Sequence, residues 1–90
     1  MIEVFITNVK TQIQVEKVSK KIGERFPDLN IDFDMDETNL PYPIGHTVLR
    51  IEGESFDPNK IILIAIKLKL LCEIMEDSIS IKTTHNKVCN

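Results

Sequence analysis

Tryptophan is missing from this sequence, and only three glycines, two cysteines, one tyrosine and four phenylalanines occur in its 90 residues. Each shortage removes a class of function. So few glycines, none of them grouped, leave no phosphate-cradling loop. Cys72 and Cys89 are too few for a disulfide framework and too far apart for a C-x-x-C motif, so they read as reduced thiols of a cytoplasmic protein. No Ser or Cys nucleophile stands near a histidine, and no carboxylate pair has a pocket-like setting, so no enzyme and no cofactor is expected. The longest apolar run, Ile61 to Ile66, is closed by Lys67 and Lys69 and falls far short of a membrane span. The opening "MIEVFITNVK" lacks the basic and apolar regions of a signal peptide. A net charge of −3 gives no general attraction to nucleic acid or to an anionic membrane.

What remains is 42% apolar and 28% charged, the mixture of a globular domain whose core is built from Ile, Leu and Val. Ile2, Val4 and Ile6 alternate with Glu3, Phe5 and Thr7, which predicts a first strand with the isoleucine–valine set inward. Thr11 and Gln14 have the spacing of a capping box, and Val15, Val18, Ile22 and Phe26 then form one helical stripe that Pro27 ends. In "LNIDFDMDE" (29–37), Ile31, Phe33 and Met35 alternate with Asp32, Asp34 and Asp36, the pattern of a strand with one buried and one wet face. The "TNLPYPIGH" segment (38–46) reads as a loop. "TVLRIEG" (47–53) reads as a third strand with Leu49 and Ile51 inward, closed by Gly53.

Asp57-Pro58 marks a second helix start, with Asp as the cap and Pro where its missing N–H is harmless. On that helix Ile61, Ile64, Ala65, Leu68 and Cys72 share a side, and Ile62, Ile66 and Leu70 widen the stripe beyond what one sheet face covers. "CEIMED" (72–77) supplies a fourth strand. The order β-α-β-β-α-β, with right-handed crossovers, puts two helices on one face of an antiparallel four-stranded sheet. This is an α+β, ferredoxin-like sandwich. Residues 1–77 form that single domain, and residues 78–90 an extension in which "SISIK" is an edge strand or an arm before a frayed tail.

The first strand–loop–helix run, the "FDMD" strand, "VLRIEGE", "DPNKI" and "CEIMED" together resemble the heavy-metal-associated domain, and most closely small bacterial variants in which its metal motif is eroded. The family's loop reads M-x-C-x-x-C. Aligning the helix stripes puts Asn8 and Thr11 at the two cysteine positions, and neither side chain is a ligand for Cu(I) or Zn²⁺. The "LPYPIGH" loop is longer than the family's hairpin, and the glycine usual after the second helix is missing.

Other patterns weigh less. The D-x-D-x-D of Asp32, Asp34 and Asp36 has Glu37 and Pro43 where a calcium loop needs Gly and Glu, so it reads as a solvated strand face with Arg50 as its ion-pair partner. Anion binding at Thr7–Thr11 gives way to a plain capped turn, and His46 is a loop histidine. The open sheet face is then the feature with functional content. It is expected to carry Phe5, Val48 and Met75 as an apolar stripe rimmed by Glu3, Asp32, Asp34, Asp36, Arg50, Glu52 and Glu73. One aromatic amid acidic charge does not suit RNA. It suits a protein partner or a second copy, so the expected function is a non-catalytic interaction module. The alternative is a transition-metal carrier using Cys72, Cys89 and His85.

Overall fold

The computed structural model describes residues 1–75. The expected extension 78–90, and with it His85 and Cys89, lies outside the described residues. The elements follow in the order β1 (Ile2–Thr7), α1 (Gln12–Arg25), β2 (Asn30–Asp34), β3 (Thr47–Glu52), α2 (Pro58–Lys67) and β4 (Cys72–Ile74). The strands form one antiparallel sheet in the order β2-β3-β1-β4. This is the ferredoxin-like arrangement.

Both helices begin where local chemistry tells them to. The Thr11 hydroxyl accepts from the Gln14 amide at 3.2 Å, while Gln14 Oε1 accepts from the Thr11 and Lys10 amides at 3.2 and 2.7 Å. Asp57 Oδ1 accepts from the Asn59 amide at 3.0 Å, with Pro58 as the first helical residue. Val18 and Ile22 of α1 and Ile61 and Ala65 of α2 are buried in one core with Phe5, Leu49, Ile51 and Cys72.

That core corrects one expectation. Paired residues in an antiparallel sheet share a face, and Phe5 pairs with Leu49 while Ile2, Val4 and Ile6 pair with Glu52, Arg50 and Val48. Phe5 is 0% exposed, so it lies beneath the helices with Glu3 and Thr7, and the Ile2–Val4–Ile6 set takes the open face. The central strand is apolar on both sides, and the phenylalanine, with more surface to bury, takes the core. β2 is also shorter than its alternation suggests. It ends at Asp34, leaving Asp36 in a turn where its carboxylate accepts from the Thr38 hydroxyl at 2.6 Å and amide at 3.0 Å.

α2 ends in a Schellman motif. The Leu70 amide donates to the Ala65 carbonyl at 2.9 Å and the Lys69 amide to the Ile66 carbonyl at 2.8 Å. Lys69 therefore sits at φ 64, in the left-handed region where glycine is usual. The helix is shorter than its apolar pattern suggests, ending at Lys67 before Leu70 and Cys72, and the surplus apolar residues divide. Ile62 packs on the core and Leu70 is buried, but Ile66 remains 55% exposed beside Leu63 at 54%.

Candidate functional site

The β1–α1 loop is committed to structure. The Asn8 amide donates to the Leu71 carbonyl at 3.2 Å, and the Leu71 amide donates back to Asn8 Oδ1 at 2.8 Å. The Asn8 side chain thus ties β1 to the start of β4, while Thr11 caps α1. Behind them lies a pair that sequence patterning did not single out. Thr7 and Thr47 face each other in register and are buried. The Thr7 hydroxyl donates to the Thr47 carbonyl at 3.1 Å and accepts from the Val9 amide at 3.3 Å. The Thr47 hydroxyl donates to the Val9 carbonyl at 2.7 Å and accepts from the Asp36 amide at 2.9 Å. Two hydroxyls therefore fix both connections at this end of the sheet. Threonine is ordinary in strands, so nothing in the sequence marked the pair.

These residues do not fit a transition metal. Asn8 Oδ1 is engaged, and Thr11 offers only a hydroxyl. Cys72 points into the core, and burial, followed by the neighbouring Glu73 carboxylate, pushes its thiol up to about 12, away from the thiolate a metal needs. Among the described residues no three His, Cys, Asp or Glu side chains gather into a group that could hold an ion.

The open sheet face is ordered in columns. Along β1 run Ile2, Val4 and Ile6; beside them on β3 stand Glu52, Arg50 and Val48; at the edge on β2 stand Asn30, Asp32 and Asp34. An apolar column on β1 and an acidic one on β2 thus flank the mixed Glu52, Arg50 and Val48 column of β3. Arg50 is in register with Asp32, but the expected ion pair is not formed. Among the described residues the only salt bridge is Lys21–Glu24, at 3.9 Å. Val48 keeps its expected place on this face. Phe5 does not, and Met75 lies one residue beyond β4, half-buried.

One end of the face is covered. Residues 35–46 carry Tyr42 across it, and its hydroxyl donates to Glu73 Oε2 at 2.6 Å. Glu73 lies on β4 in register with Ile6, so this bridge crosses β3 and β1 at the level of Ile6, which is 7% exposed. Burial, then the bond to Glu73, raises the Tyr42 pKa well above its ordinary value. The loop is held in shape by the Gly45 amide donating to the Pro41 carbonyl at 3.0 Å and by His46 Nδ1 at 3.0 Å from the Pro43 carbonyl. A side chain at Gly45 would run into the Leu40 carbonyl, so the tight return needs glycine. At the other end Ile2 is 58% exposed.

Fold and site together describe a small ferredoxin-like domain that leaves a patterned apolar and acidic sheet face outside its core. Compared with protein-family models, with curated proteins and with solved structures, the chain matches none. Among the described residues no helix is long and apolar enough to cross a membrane.

Proposed function

We propose that this protein is a non-catalytic interaction module, working in the cytoplasm, that presents its open sheet face to a protein partner. The observation that supports this reading is the column of Ile2 and Val4, flanked by Val48, on a face that the described residues cover only at the Tyr42 end. Apolar side chains grouped on a face that neither described helix covers favour a partner that removes them from water. The acidic column on β2 speaks against nucleic acid and an anionic membrane, because Asp32 and Asp34 would meet phosphate first. The likeness to the heavy-metal-associated domain belongs to the same reading, as a scaffold whose loop has changed its work. Asn8 and Thr11 now secure the fold, so function moves to the sheet. Metal handling through Cys72, Cys89 and His85 would require the buried Cys72 thiol to leave the core.

A photocrosslinking side chain in place of Val4, introduced in cells that make the protein, should yield a discrete protein adduct. The same group in place of Lys20, on the exposed side of α1, should not. No adduct specific to position 4 would end this reading.

A further inference from the structure

The molecule carries a second exposed apolar surface, and its charge is of the opposite sign. On the outer side of α2, Leu63 and Ile66 are three residues apart and therefore neighbours. Lys60 and Lys67 lie three residues before and four residues after Leu63, both exposed, and Lys69 follows at the helix end. No acidic residue occurs in Pro58–Lys67. The sheet face is apolar beside acid, and the helix face is apolar beside base.

Resting on the reading of the sheet face as a binding surface, we infer that the partner is a second copy of this chain, docked head to tail. The α2 outer face of one molecule seats on the open sheet face of the next. The dimensions agree. A helix of ten residues is about 15 Å long, and β1 from Ile2 to Ile6 spans about 13 Å. Leu63 and Ile66 then meet Ile2, Val4 and Val48, while Lys60 and Lys67 lie towards Asp32, Asp34 and Glu52. The symmetrical alternative, sheet on sheet, presses Asp32, Asp34, Glu52 and Glu73 of one copy against the same residues of the other, with Arg50 as the sole counter-charge among the described strand residues. Helix on helix sets lysines against lysines. Charge complementarity therefore selects the heterologous contact, in which a dimer keeps one free face of each kind, the sheet of one copy and the helix of the other. Association of this type is open-ended unless its rotation closes a ring.

The test uses two single-face variants, Val4→Lys for the sheet and Leu63→Glu for the helix, each checked for native folding by circular dichroism. In sedimentation velocity, the unaltered protein should grow with concentration past the dimer. Each variant alone should stay monomeric, its self-association weakened by a factor of about ten or more, which corresponds to ~1.4 kcal/mol. An equimolar mixture should form a one-to-one dimer and nothing larger, because each variant retains the face that the other lacks. Three results overturn the inference: an unaltered protein that stays monomeric at millimolar concentration, self-association that Val4→Lys abolishes and Leu63→Glu leaves intact, or variants that fail to pair when mixed. In the first case a position-4 photoadduct to a different protein preserves the interaction reading while removing self-association. An adduct from position 4 to the chain's own residues 76–90 removes both.

Discussion

One threonine and one cysteine carry the sharpest residue-level consequences. The Thr47 hydroxyl is both donor and acceptor in a fully buried position, serving the Val9 carbonyl and the Asp36 amide. Thr47→Val preserves shape but strands both backbone groups. Urea unfolding should show a destabilisation of about 2–4 kcal/mol, since a buried group left unpaired costs far more than an average hydrogen bond gains. Cys72 should be chemically silent. In a Cys89→Ser background, its thiol should react with a disulfide reagent at pH 8 only after denaturant is added. Its pH linkage has one sign. The unfolded thiol gives up its proton near its ordinary value of 9.0, whereas the native one holds on to about 12. The contribution to stability is therefore complete below pH 9 and drains away as pH climbs towards 12. Denaturation midpoints of this variant should fall across that window, and those of a further Cys72→Ala variant should not show this component.

Elements were legible where a residue acts on its own neighbours. The Thr11–Gln14 box, the Asp57-Pro58 start and the alternation of β2 and β3 are local signals, and each appears where its spacing put it, except that β2 stops at Asp34. The facing of β1 was not legible, because it depends on which strands lie beside it. Either face of "IEVFIT" can be the inner one until Phe5 is set opposite Leu49. The Thr7–Thr47 pair and the Tyr42–Glu73 bridge join residues 40 and 31 positions apart, beyond the reach of any periodicity. The end of α2 shows the reverse case, a local rule broken without visible benefit. Lys69 adopts a left-handed conformation that costs a side chain about 1 kcal/mol. Lys69→Gly should raise stability by about that amount, measured as a higher urea midpoint with an unchanged slope, less whatever glycine's freedom in the unfolded chain returns.

For the molecule as a whole, the two faces of β1 make opposite forecasts for adjacent positions. Phe5→Lys places an ammonium in the core and removes a large apolar group, a combined cost above about 4 kcal/mol that a domain of this size does not survive. Val4→Lys places the same group on the open face, where its stem lies along the strand and its charge reaches water. Circular dichroism should find the first variant unfolded and the second native. A folded Phe5→Lys protein would reverse the assignment of faces on which the functional reading stands.

The double-sided character of β1 bears also on how this protein fails. Its segment "IEVFIT" combines β-branched and aromatic residues with a single charge, the composition that seeds fibrils. In the native sheet β1 lies between β3, which pairs it along its whole length, and β4, which pairs it from Phe5 to Thr7. The β2 edge, whose backbone is open, bears Asp32 and Asp34 as electrostatic guards. Full exposure of the β1 segment therefore requires loss of the sheet, and the rate of aggregation should follow the population of unfolded protein.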